Sequence, residues 1–158
     1  MLNPFVGRRD ELTRRHMLGA ASAAAVMAAL MPRMAVADEA SVAEAIKKLA
    51  AGKTMAEGRI KLEVPPIAEN GLVVPISVEV DSPMTDADYV KAVHIFADGN
   101  PLPNIVSYKF SPAAGKAAGA TRMRLAQTQN IVCVAEMSNG ALFTAKANVK
   151  VTIGGCGG

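Results

Sequence analysis

The residues best placed to do chemistry are the last five of the chain, Gly154-Gly155-Cys156-Gly157-Gly158. A thiol sits two residues from the end with glycine on both sides. Glycine has no Cβ and visits both signs of φ, so this stretch is predicted to be a flexible arm. Cys156 is the third residue after Ile153, a reach of roughly 10 Å when extended. Cysteines that act as catalysts owe a depressed pKa to a nearby Lys, Arg or His, or to a helix N-terminus. The flanking glycines supply none of these. The thiol therefore reads as a carrier, held out so that other molecules activate and modify it. An exposed thiol oxidises and cross-links readily, so one placed at a tip without a use would be a liability.

The compartment is written at the other end of the chain. Thr13-Arg14-Arg15-His16-Met17-Leu18 fits the twin-arginine export pattern, an alanine-rich apolar stretch runs from Gly19 to Met31, and Ala35-Val36-Ala37 is a small-residue cleavage site before Asp38. The apolar run is short for a membrane span. Residues 1–37 read as a cleaved twin-arginine signal peptide delivering a folded protein to the periplasm, with no membrane attachment after cleavage. That compartment is oxidising.

The signal also distorts the charge balance. The whole chain carries +3, but five of its 17 basic and two of its 14 acidic residues lie in 1–37, leaving twelve of each beyond. A neutral mature chain with no basic cluster and 4% aromatic residues has no footprint for nucleic acid.

The elements that must hold the arm are mostly strands. Residues 38–51 read as a short helix with Val42, Ile46 and Leu49 on one face, a capping box at Ser41–Glu44 and a stop at Gly52. Strands are predicted over 60–64, 72–80, 90–97, 105–110, 121–126, 131–137 and 143–153, separated by turn signals such as Asn70-Gly71, Ser82-Pro83, Gly99-Asn100-Pro101 and Asn139-Gly140. Pro75 inside the second strand implies an edge or a bulge. The last strand alternates most cleanly, Phe143, Ala145, Ala147, Val149, Val151 and Ile153 against polar neighbours. The pattern predicts an all-β, immunoglobulin-like antiparallel β-sandwich of about seven strands over 38–153, with a short N-terminal helix, running straight into the arm at 154–158.

Other reactive side chains have plainer readings. Cys133 shares parity with Ile131 and Met137, as a buried core cysteine does, with a disulfide to a partner chain as the alternative. His94 sits opposite Val93 and Ile95 and reads as solvated or hydrogen-bonded. Met55, Met84, Met123 and Met137 are scattered and read as core filling rather than a copper site. Arg122 and Arg124 share a strand face, either solvated or able to hold an anion. No zinc spacing, triad or acid–base pair is present, so no metal site, cofactor or catalytic machinery of its own is predicted.

The sequence resembles the SoxY family, the sulfur-carrier subunits of bacterial thiosulfate oxidation. The resemblance runs through Ala68-Glu69-Asn70-Gly71, Val74-Pro75, Ser82-Pro83-Met84-Thr85, Asn100-Pro101-Leu102-Pro103, Arg122-Met123-Arg124-Leu125-Ala126, Met137-Ser138-Asn139-Gly140 and Val151 to Gly158. It implies a heterodimer with a second sandwich protein, SoxZ, and intermediates held covalently on Cys156. It also implies transient visits to a haem enzyme that couples thiosulfate to the thiol, a hydrolase that releases sulfate and a dehydrogenase that oxidises the remaining sulfur. Two rival readings differ in kind. Ubiquitin-like carriers end in Gly-Gly but have no tail cysteine and need cytoplasmic ATP. A periplasmic sandwich that binds a partner or chaperones a metal would leave Cys156 unmodified.

Overall fold

The computed structural model describes residues 39–154. The predicted signal peptide and the tail from Gly155 onward, with Cys156, lie outside the described residues. Helix α1 runs from Glu39 to Ala50. Nine strands come after it: β1 (Met55–Glu57), β2 (Ile60–Glu63), β3 (Ile67–Asn70), β4 (Val74–Val80), β5 (Val90–Ala97), β6 (Asn104–Lys109), β7 (Ala117–Met123), β8 (Gln129–Met137) and β9 (Leu142–Ile153). A single 3₁₀ turn, Pro112–Ala114, joins β6 to β7.

They form two sheets. The larger has the order β1-β9-β8-β5-β6, with β3 also paired to β9; the smaller is β2-β4-β7. The inner faces are built by the period-2 alternation. Val74, Ile76, Val78 and Val80 of β4 meet Val93, Ile95 and Ala97 of β5 and Ile131, Cys133, Ala135 and Met137 of β8 in one core. In β5 a register shift between Val90 and Ala92 lets Val90 face inward as well, although it lies an odd number of positions from Val93. Burying a Val or Ile fully is worth about 1.5–3 kcal/mol, so this interleaved face supplies most of what offsets chain ordering.

The opposite face of the larger sheet is covered by α1. Val42 packs on Phe96 and Val134, with Ile46 and Leu49 beside it. The helix starts before Ser41, so the predicted capping box falls inside its first turn. Its end matches expectation: Ala51 and Gly52 both take positive φ and the Lys53 amide donates to Ala50 O. The protein is thus an all-β sandwich with one helical cover.

Two short strands beyond the predicted seven pair parallel to β9. Met55 lies opposite Leu142 at one end, and Ile67 opposite Lys150 near the other. The strand predicted at 121–126 lies at Ala117–Met123 instead, and the one predicted from Leu72 starts at Val74. Pro75 belongs to the middle strand of the small sheet, but the ladder with β2 begins only at Ser77, so at Pro75 the strand has a neighbour on one side. That is why proline is tolerated there.

Candidate functional site

The last described residues are the root from which the cysteine arm departs. β9 pairs with β8 from Leu142 to Val149. Beyond Val149, β8 has ended, and other groups take over. On one side β3 continues the ladder as far as Asn70 opposite Ile153, extended by Lys150 N to Pro66 O at 3.0 Å and Gly71 N to Ile153 O at 2.7 Å. On the other side the Thr128 hydroxyl stands in for a strand, accepting from Val151 N at 3.0 Å and donating to Val151 O at 3.4 Å. The strand is held on both flanks almost to its last residue.

Gly154 lies against the backbone of the preceding loop. A Cβ placed there would run into the carbonyl oxygen of Ala126. Glycine is required at this position by close approach, and not by a left-handed φ.

The Ala126 peptide is itself fixed from below. Asn100 is 8% exposed, and its Oδ1 accepts from Ala126 N at 3.1 Å while its Nδ2 donates to Arg124 O at 2.8 Å. Gln129, 3% exposed, donates from Nε2 to Asn100 Oδ1 at 3.0 Å and to Gln127 O at 3.1 Å, and accepts from Gly99 N at 2.7 Å. Every polar atom of the two amides is paired, which makes burial of such a network tolerable. Leu125 N donates to Gly71 O at 2.8 Å, tying the same loop to the turn after β3. The sequence marks Asn100 as a turn residue and as part of a family-like segment, with no sign of its burial, and Gln129 not at all; an amide destined for burial looks like any solvated one.

Around this root the surface is apolar and basic. Leu72, Val73, Leu102 and Ile153 are exposed. Arg122 and Arg124, predicted to share a strand face, do not: β7 ends between them, with Arg122 opposite Pro75 and Arg124 in the loop after it. Both nevertheless line one open groove of about 380 Å³ with Leu102 and Ile105.

Cys133 is fully buried between Ile95 and Ala145 on neighbouring strands. Burial pushes its thiol up to about 12, so it is neither a nucleophile nor a surface partner for a disulfide. His94 lies on the outer face of the large sheet, with Nδ1 2.8 Å from Ser107 Oγ and its ring stacked at 6.4 Å on Phe96. Burial lowers its pKa. Met84, Met123 and Met137 are buried in the main core and Met55 packs in the cluster under the helix, as core filling requires. Among the described residues no three His, Cys, Asp or Glu side chains converge as metal ligands would, and no helix is long and apolar enough to cross a membrane. The predicted attachment residue Cys156 and the arm glycines Gly155, Gly157 and Gly158 lie outside the described residues.

These features define a class first: a two-sheet β-sandwich with a helical cover, whose last strand is braced almost to its final residue. The family model described as "Sulfur oxidation protein SoxY" matches residues 46–156. The sulfur carrier protein SoxY from Chlorobium limicola f thiosulfatophilum is similar at 33% identity, covering 71% of this chain and 96% of that one, with a TM-score of 0.60. The chain belongs to the SoxY family. Superoxide reductase (neelaredoxin) from Ignicoccus hospitalis is similar at 16% identity, covering 73% of this chain and 94% of that one, with a TM-score of 0.54. At that identity the likeness is one of fold alone. Comparison with curated proteins gave no match.

Proposed function

We propose that this protein is the covalent carrier of periplasmic sulfur oxidation, holding intermediates on the Cys156 thiol while partner enzymes act on them. The observation that carries the reading is the extent of the family match, which reaches residue 156 and so includes the cysteine. The bracing of β9 through Ile153 supports it, because a tethered group samples a small volume only if its anchor is fixed. Tethering raises the effective concentration of each intermediate at each enzyme and keeps reactive sulfur from diffusing away.

In this reading a haem enzyme joins thiosulfate to the Cys156 thiol. The new S–S bond forms as two electrons pass to the haem enzyme and the thiol proton is released. A hydrolase and a dehydrogenase then remove sulfate and oxidise what remains, and a last hydrolysis restores the thiol. The chain contributes no catalytic group and needs no cofactor. It works in the periplasm after twin-arginine export, as a heterodimer with a SoxZ-like subunit. The buried Cys133, with its thiol raised to about 12, takes no part.

Mass spectrometry of protein purified from the periplasm, and of protein incubated with thiosulfate and its partner enzymes, tests the reading. Sulfur-containing mass increments on the terminal peptide are expected, and Cys156→Ser should abolish them. An unmodified Cys156 under turnover, or a permanent bridge between Cys156 and Cys133, would defeat the proposal. Gly155→Val should slow turnover while leaving the sandwich folded, because a β-branched residue beside Cys156 both widens and stiffens the arm.

A further inference from the structure

The five terminal residues look like one uniform tether, but the structure sets the first of them apart. Gly154 differs from a free link in a chain: its Cα lies so close to Ala126 O that no Cβ fits between them. The Ala126 peptide cannot easily retreat, because Asn100 Oδ1 accepts from its N–H at 3.1 Å, Asn100 Nδ2 holds Arg124 O at 2.8 Å, and Gln129 Nε2 holds Asn100 in turn at 3.0 Å. On the strand side, Ile153 O is fixed by Gly71 N at 2.7 Å. Gly71 O accepts from Leu125 N, one residue before Ala126, so the strand end and the loop share a support.

We propose that Asn100 is a positioning residue for the carrier arm, acting through the Ala126 peptide. The contact of that peptide with Gly154 sets the direction in which the arm leaves the sandwich. Gly154 is accordingly a fixed root and not a free link of the arm. The inference rests on the proposed carrier role of Cys156 for its functional consequence, and on the described geometry alone for its structural one. The short reach gives direction its weight. Only two residues of chain run from the root to the sulfur-bearing Cys156, about 7 Å when extended, so a tilt at the root moves the sulfur by several ångströms. Misplacing a reacting atom by about 1 Å can cost up to about 100-fold in rate.

Two measurements separate the structural claim from the functional one. Amide ¹⁵N relaxation on the full mature chain needs no partner. Gly154 should show an order parameter near that of Val151 and Ile153, about 0.85; a value below about 0.6 would place it in the tether and overturn the proposal. The second measurement is a double-mutant cycle on loading of Cys156 by thiosulfate and its coupling enzyme, with the partner subunit present. Gly154→Ala and Asn100→Ala should each slow loading about tenfold, and the double variant should be little slower than either, since both disturb one contact. Alkylation of Cys156 by iodoacetamide should change less than about twofold, because a small reagent does not depend on arm direction. Multiplicative losses, or losses that track the unfolded fraction measured by circular dichroism, would make Asn100 merely structural and overturn the assignment. Should Asn100→Ala fail to fold, Gly154→Ala against Gly155→Ala decides: equal effects overturn the division of the arm, and a clearly larger effect at Gly154 supports it. Failure of the wild-type chain to take up sulfur at all would defeat the carrier reading and leave the relaxation result standing.

Discussion

The two ends of the sandwich are held by different chemistry, although both carry segments that resemble the same family. At the arm end, Asn70-Gly71, Asn100, Arg124-Leu125-Ala126 and the close of β9 converge on a paired amide network and one backbone-to-backbone contact. At the far end lie Ser82-Pro83-Met84-Thr85 and Met137-Ser138-Asn139-Gly140, with Met84 and Met137 in the same core cluster. There Tyr89 N donates to Ser138 Oγ at 3.1 Å, Ser138 N returns to Tyr89 O at 2.8 Å, and Met84, with φ of 51°, buries its side chain in the core. A buried methionine in a left-handed turn adds core packing to the hydrogen bonds of the far end, and costs strain that packing must offset. The arm end relies instead on two buried amides whose polar atoms are all paired. The difference teaches that family-like segments in one small domain can be fixed by different means, one by a methionine closing the core and one by a buried amide network.

That contrast can be broken by experiment, and the largest expected effect concerns the two thiols. With Cys133 raised to about 12, its thiolate is scarcer than that of an ordinary cysteine by about a thousandfold near neutral pH. Native protein should take up one iodoacetamide label, on Cys156, and a second only when unfolded; early labelling of Cys133 would mean that the core opens. Next, Met84→Ala should cost about 2–5 kcal/mol of stability while leaving Cys156 loading per folded molecule unchanged, read by thermal melts and loading assays. A loading defect there would erase the distinction between the ends. Thr128→Ala removes both bonds to Val151 and should cost about 1 kcal/mol, with faster hydrogen exchange at Val151 than at Val149. The smallest effect comes from His94, on neither end. Its folded pKa lies below the ordinary 6.5, so the unfolded chain binds more protons as pH falls past that value. Stability is full above pH 6.5 and declines gently below it, and His94→Gln should flatten that slope in denaturant melts.

Legibility in the sequence split along similar lines. β8 and β9 were readable because apolar residues recur at every second position along them, and Cys133 took its burial from that parity, while β5 was readable as a mostly apolar run buried on both faces. β1 and β3 were not, since Met55-Ala56-Glu57 and Ile67 to Asn70 are short and only Ala68 is buried; their pairing with β9 is a long-range event with no local pattern. β7 was displaced because Ala117-Ala118-Gly119-Ala120 lacks the β-branched residues that mark strands. Gly119 is there because a Cβ would come 2.9 Å from the Tyr108 ring. Leu125 mimicked strand alternation from a loop, where it is nonetheless fully buried. Near the end of β9, the brace on Gly154 was invisible in the sequence, because Asn100, Thr128 and Gln129 act mainly through bonds to residues more than twenty positions away.

The parallel partners of β9 carry a mechanical consequence. A pull along the strand axis loads the ladders to β8, β3 and β1 in shear, so many hydrogen bonds resist together instead of parting one after another. Force applied at the end of β9 would thus be shared among neighbouring strands, and would not fall on one bond at a time.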